Sequence, residues 1–358
     1  MSELVVAQYF ARWRSITLSD RFIVEGILLD EHRGPSPALA DALASRGERH
    51  YFDNSPDGPS LVLVHELAPP KQRWWLHVLL LAVTLVTTTA AGAMLAGVTP
   101  HLTSSRTLLN GLAFSVPLVA ILLSHEAGHF LAARWYRVDA SPPYFIPFLA
   151  QYSVLGTLGA FIRLRSPFFD RRSLFDVGVA GPLAGLAVAI PTLAVGLALS
   201  RVVPNAPSFA LAHQYVRLED GALFLGDSLL LGALRWLIAP HGVLELHAVA
   251  VAGWAGILVT MLNMMPLTQL DGGHISFAMF GRTHGKIAIA FWLVLVAMGA
   301  FVARTWWIWA VLALVIGRGS LAHPPLIAPE RRLDARRRAV GYLALVLGAL
   351  CFMPVPIP

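Results

Sequence analysis

From residue 74 onward the chain is a series of apolar runs broken by short polar stretches. Residues 74–105, 177–200 and 246–270 carry no formal charge. Residues 107–124 are apolar and run straight into a polar cluster at 125–129. The run 287–303 meets Arg304 and resumes over 305–317, and a last run covers 339–358. A helix needs about 20 apolar residues to cross the hydrocarbon of a bilayer. The pattern predicts a polytopic α-helical membrane protein with about seven transmembrane helices, the 287–317 pair being the least regular. Before residue 74 the pattern is that of a small soluble α+β domain. A strand is expected over 22–29, a helix over 36–45 with Ser36 as cap and Pro37 just inside, a turn over 53–58 and a strand over 61–64. The expected order is β-α-β-β, with domains over 1–73 and 74–358. Between the second and third apolar runs, 142–147 and 156–166 alternate like a β-hairpin.

Composition sharpens this division. The 358 residues are 56% hydrophobic and 13% charged, about half the charge of a typical soluble domain. Residues 1–73 hold 18 of the 48 charged residues. A wholly soluble enzyme, a disulfide-stapled module and a disordered chain are excluded. The one cysteine, Cys351, lies in the last apolar run. The net charge of +6 reads as loop bias in a membrane protein, not as affinity for nucleic acid. With spans alternating from Lys71 and Arg73, one side collects 16 of the 27 Lys/Arg, including Arg134, Arg163, Arg165, Arg282 and the cluster Arg331, Arg332, Arg336, Arg337 and Arg338. The other side collects Arg106, Arg201, Arg217, Arg235 and Arg304. The positive-inside rule then places the N-terminus in the cytoplasm, most simply of a bacterial cell.

Ser124-His125-Glu126-Ala127-Gly128-His129 stands inside the second apolar run. Histidines four apart share one face of a helix and can reach one Zn²⁺. Glu126, beside the first, can take a proton from water. The competing reading is a packed polar cluster, but an acidic side chain deep in a membrane costs a few kcal/mol and is usually functional. From His125 to Arg134 is about 13 Å of helix, so the motif lies within the bilayer on the Arg134 side. A catalytic zinc needs a third protein ligand. Asn263-Met-Met-Pro-Leu-Thr-Gln-Leu-Asp271-Gly-Gly-His274 offers one. Asp271 closes a long uncharged run, and Gly272 and Gly273 give the backbone room to turn. His274 is the rival ligand, and a helix-terminal Asp without a metal role is the third possibility. His77, His101, His213, His241, His247, His284 and His323 have no partner at ligand spacing and read as interfacial or loop residues. His50, His65 and Glu66 read as scattered surface residues.

H-E-A-G-H in an apolar helix, followed by N-x-x-P-x-x-x-L-D-G-G-H, resembles the site-2 protease family of intramembrane zinc metalloproteases over about residues 75–320. The resemblance implies His125, His129 and Asp271 as ligands of one zinc and Glu126 as general base. It implies that Asn263 orients substrate or the developing oxyanion, against the reading of Asn263 as helix packing. The hairpin is similar to a membrane-dipping loop of the plastid-type and related bacterial branch, with Gly156 and Thr157 placed to meet an unwound substrate. An ordinary interfacial hairpin is the competing reading. Gly181-Pro-Leu-Ala-Gly185 reads as close helix packing. There is no room for a PDZ-like insertion in the outer loop 201–246, which contains an amphipathic stretch over 227–238 that reads equally as a gate for substrate on the outer surface or as a plain re-entrant or interfacial helix. The implied activity is hydrolysis of peptide bonds in or near transmembrane segments of single-span or other membrane proteins, with the lipid bilayer as a partner. A zinc transporter would need a string of polar sites across the membrane. A catalytically dead relative would be expected to lack Glu126 or a ligand. Nothing in the sequence assigns an oligomeric state.

Overall fold

The computed structural model describes residues 8–17, 21–33, 36–46, 49–55, 58–66, 72–98, 104–165, 168, 170–203, 214–218, 221–239, 242–324, 326 and 332–357. Pro56 and Asp57 of the expected turn, Lys71, His101, His213, His241 and Arg331 lie outside these residues. The chain divides into two compact units. One comprises Met1–Gln72 with 138–140 and 164–167; the other holds the remainder.

In the first unit, strands β1 (Phe10–Thr17), β2 (Arg21–Leu28), β3 (Arg49–Ser55) and β4 (Gly58–Glu66) form an antiparallel sheet of order β1-β2-β4-β3. Helix α1 (Pro37–Arg46) joins β2 to β3. Alternate positions of β2 and β4 face inward, as a period of two requires. Val24, Leu28, Leu61 and Leu63 pack with Phe10 and with Leu39 and Leu43 of α1. The expected β-α-β-β order therefore lacked one strand. Of the described β1 side chains only Phe10 is buried, while Arg12 and Trp13 are exposed. Charge on an edge strand discourages further pairing, and it also removes the apolar alternation by which a strand is recognised.

The second unit is mainly helical. Its helices are α2 (Trp74–Leu95), α3 (Ser105–Trp135), α4 (Arg171–Leu199), α5 (Leu229–Ile238), α6 (Ala248–Asn263), α7 (Asp271–Phe280), α8 (His284–Phe301), α9 (Thr305–Ile316) and α10 (Ala335–Cys351). Among the described residues four stretches are long and apolar enough to cross a bilayer: Trp74–Leu95, Thr107–Trp135, Arg171–Leu199 and Asp271–Phe301, the last formed by α7 and α8 through a short 3-10 turn. The chain is thus a mostly helical membrane protein, and the described residues do not confirm seven full-length spans. Residues 246–270 yield only the 16-residue α6, because the chain leaves the helix at Met264. α9 and α10 have 12 and 17 residues. α6 is central. Ala250 to Ile257 are all buried, and Trp254, Ile257, Leu118, Ile121, Leu186 and Leu193 form one continuous core. α4 packs on α3, α6 and α7, so it touches every helix that carries a motif residue.

Two small sheets complete this unit. Strands β5 (Tyr144–Pro147) and β6 (Thr157–Phe161) form the expected hairpin between α3 and α4. Gly156 sits before β6 at φ +69°, where a Cβ would run into the backbone of Thr87 and Thr88 in α2. Neither the backbone angle nor the space admits a side chain. Strands β7 (Arg201–Val203), β8 (Gln214–Leu218), β9 (Gly221–Phe224) and β10 (Val243–Glu245) form a second sheet of order β7-β10-β8-β9. This sheet corrects the reading of 201–246 as a loop with one amphipathic stretch. Strands of 3–5 residues are too short to show a period.

Candidate metal centre

His125 and His129 occupy one face of the 31-residue α3. Their ring centroids are 4.8 Å apart and their Nε2 atoms 3.1 Å apart. Asp271 arrives from α7, with Oδ2 3.1 Å from His125 Nε2 and Oδ1 3.2 Å from His129 Nε2. Four ligands around a tetrahedral zinc, with bonds of about 2.0–2.1 Å, lie about 3.3–3.4 Å from one another. The three atoms already stand close to that spacing.

Protonation tests the fit independently. His129 Nδ1 donates to the carbonyl of Val177 at 2.7 Å. In the neutral ring, Nε2 then carries a bare lone pair, and that lone pair faces both a carboxylate oxygen and a second imidazole nitrogen. Two imidazole nitrogens and a carboxylate converging in a buried place are the donor set that a divalent zinc ion takes. The donor set fits zinc, and the Val177 carbonyl fixes the tautomer that presents Nε2.

Asp271, which closes the uncharged run 246–270, opens α7, with Leu270 as its N-cap. Residues 264–270 form a tight loop in which Thr268 has φ +46°. Gly272 and Gly273 do not serve a turn. They lie within the helix, where a Cβ on Gly272 would meet the carbonyl of Met264 and one on Gly273 would come within 2.5 Å of the Thr268 oxygen. Their bareness lets the start of α7 press back onto the loop that carries it.

Glu126 is buried beside the pair, and the backbone amide of Ile162, just past β6, hydrogen-bonds to it. Asn263, the last residue of α6, places Nδ2 3.2 Å from His125 Nε2. Gly156 and Thr157 lie at the start of β6. The Thr157 hydroxyl donates to Ile146 O at 2.8 Å and accepts from Gly159 N at 3.0 Å, so its side chain is used within the hairpin. His274 stands apart from the three ligand atoms. Its Nδ1 donates to His323 Nε2 at 2.8 Å, while His323 Nδ1 donates to Pro324 O. Burial pushes the His323 imidazole down, which keeps its Nε2 an acceptor.

The remaining described histidines are partly a correction. His284 is buried and joins His274 and His323 in a ring cluster. His77 is buried against Tyr144. His247 caps α6, and His50 and His65 are exposed.

One set of residues acquires a more specific place than close packing. A Cβ on Gly181 would run into the His129 ring, and one on Gly185 would lie 3.1 Å from His125 Nδ1. The glycines of α4 therefore form the wall against which both imidazoles are held. The spacing of small residues was visible in the sequence, but nothing there said which side chains would fill the space. Gly181→Ala is expected to displace the His129 ring and weaken zinc binding, at about 1–3 kcal/mol of overpacking cost. Zinc titration together with thermal unfolding checks this.

The match to known proteins starts within α3. The family model described as Peptidase family M50 matches residues 113–303. The chain belongs to peptidase family M50, the site-2 proteases. That span includes His125, Glu126, His129, Asn263 and Asp271. Relatives of this family member include the probable zinc metalloprotease EGY1, chloroplastic, of Arabidopsis thaliana, 34% identical over 243 residues that cover 66% of this chain and 42% of that protein. The probable zinc metalloprotease EGY2, chloroplastic, of Oryza sativa subsp. indica is 29% identical over 256 residues, covering 70% and 44%. EGY3 of the same source, also named as a probable chloroplastic zinc metalloprotease, is 31% identical over 203 residues, covering 52% and 32%. The chain spans less than half the length of these curated relatives. No solved structure matches it.

Proposed function

We propose that this M50 member is an intramembrane zinc metalloprotease. It hydrolyses peptide bonds in or near transmembrane segments of single-span or other membrane proteins. The observation that carries the reading is the convergence of His125 and His129, with Glu126 beside them, and of Asp271 from a second stretch, both stretches long and apolar enough to cross a bilayer. A buried acid and three metal-binding side chains are costly there without a function.

His125, His129 and Asp271 would hold one zinc. Bound there, the ion would supply a Lewis acid that lowers the pKa of water toward 7 and polarises the scissile carbonyl. Glu126 accepts the proton of the attacking water and delivers it to the leaving amine nitrogen. The Asn263 amide donates toward the oxygen on which negative charge develops. A substrate helix has its backbone groups paired internally, so it unwinds before cleavage. The edge of β6 is our candidate for holding it extended. Its Leu158 and Phe161 are exposed, and Ile162 at its end meets Glu126. Gly156 and Thr157 set the position of that edge and meet the substrate through their backbone.

For topology we propose about seven crossings, with α6 and the shorter C-terminal helices as partial or tilted spans. The residue 1–73 domain is soluble and lies on the Arg-rich, cytoplasmic side. A bacterial cytoplasmic membrane is proposed on the charge bias alone, since the curated relatives are chloroplastic.

Metal removal tests the reading. In proteoliposomes carrying a single-span reporter, a zinc chelator is expected to stop cleavage and added zinc to restore it. Cleavage that continues after all zinc is stripped would refute the proposal.

A further inference from the structure

The cluster Arg331–Arg338 carries three consecutive arginines, Arg336 to Arg338, in the first turn of α10. Cations are unfavourable at that end of a helix, where the macrodipole is positive. Arg336 and Arg338 are exposed, but Arg337 turns inward. Its Nε donates to Asp176 Oδ1 at 2.9 Å and its Nη2 to Asp176 Oδ2 at 2.7 Å, a two-pronged contact. Nη2 also donates to the Tyr136 hydroxyl at 3.1 Å, and that hydroxyl donates to Asp176. Asp334 caps α10 by accepting from the Arg337 backbone at 3.0 Å and also pairs with its guanidinium.

The partners of this guanidinium are the point. Tyr136 is the C-cap of α3, the helix of His125, Glu126 and His129. Asp176 immediately precedes Val177, whose carbonyl accepts from His129 Nδ1. One side chain thus ties the end of the ligand helix to the turn of α4 that fixes the His129 tautomer. α10 also packs on α4, α6 and α7, which supply that carbonyl, Asn263 and Asp271. Arg337 lies outside the matched span of 113–303.

We propose that Arg337 is a positioning residue of the metal centre, acting through Asp176 and the Val177 carbonyl to hold His129 Nε2 toward the ion. This rests on the zinc reading given above. Partners one step removed from a metal commonly change its affinity by about ten- to a hundredfold.

The test uses the purified full-length chain. Zinc affinity is measured by chelator competition, the visible spectrum is recorded with Co²⁺ in place of zinc, and Tm is taken without metal. Arg337→Met is expected to lower zinc affinity by up to about tenfold, the low end of the effect of groups bonded directly to a ligand, and to alter the Co²⁺ bands. Arg337→Lys is expected to recover part of the affinity. Asp176→Asn is expected to act like Arg337→Met, with no further loss in the double variant. Should Arg337→Met fail to fold, Arg337→Lys and Asp176→Asn carry the test. Unchanged zinc affinity and Co²⁺ bands in these two, with only Tm lowered, would overturn the proposal and leave Arg337 as a packing contact. Failure of the parent chain to bind zinc, or equal binding by His129→Ala, would instead overturn the metal-centre reading.

Discussion

Replacing Glu126 by glutamine is expected to cut peptide hydrolysis by about 10²- to 10⁴-fold, the usual contribution of a general base, while zinc stays bound. The two side chains are close in size, and the amide can still accept from the Ile162 N–H that meets Glu126. What is lost is the ability to take a proton from water and return it to the leaving nitrogen. Glu126 is buried and is not among the three converging ligand atoms, so its charge is not needed to retain the ion. Turnover of a single-span reporter, measured beside zinc content, separates the two functions. Normal turnover would exclude Glu126 as the base, and loss of zinc along with turnover would make it a ligand.

Asp271→Asn carries the second large effect, and here zinc itself is expected to be lost. Asp271 supplies the one negative charge of the set, since imidazole ligands bind a metal in their neutral form. Its two oxygens each face one imidazole, at 3.1 and 3.2 Å. An amide keeps the shape but removes the charge, and its NH₂ points a donor at one of the two lone pairs. Zinc affinity is expected to fall by more than the about ten- to hundredfold typical of residues beyond the ligands, and cleavage with it. Retention of one tightly bound zinc per chain in Asp271→Asn would show that another group completes the site. His274 would then be examined first, although its Nδ1 is committed to His323.

The chemistry of this chain was more legible in its sequence than its architecture. The H-E-x-x-H pair announces itself because helical spacing alone puts two imidazoles on one face, and Glu126 stands out because charge is rare in apolar runs. Asp271 was visible for the same reason, but not its role as the first residue of α7. Pro266 marks the break after Met264 in the sequence, but the close approach of Gly272 and Gly273 to the loop, which sets where α7 starts, has no signature in a linear pattern. β1 and the β7–β10 sheet escaped because short or charged strands lack apolar alternation. Composition counts α6 as a span like the others, because a central helix is as apolar as a lipid-facing one; at 16 residues it is the shorter. Arg337 was legible only as loop charge. Its partner Asp176 lies 161 residues away, and only the fold pairs them.

Zinc-edge X-ray absorption of the purified, detergent-solubilised chain tests the centre most directly. Expected are about one zinc per chain, nitrogen and oxygen neighbours at about 2.0–2.1 Å and the outer-shell signature of two imidazoles, with one imidazole missing in His129→Ala. A parent chain that holds no zinc, or a spectrum unchanged by His129→Ala, would contradict the assignment.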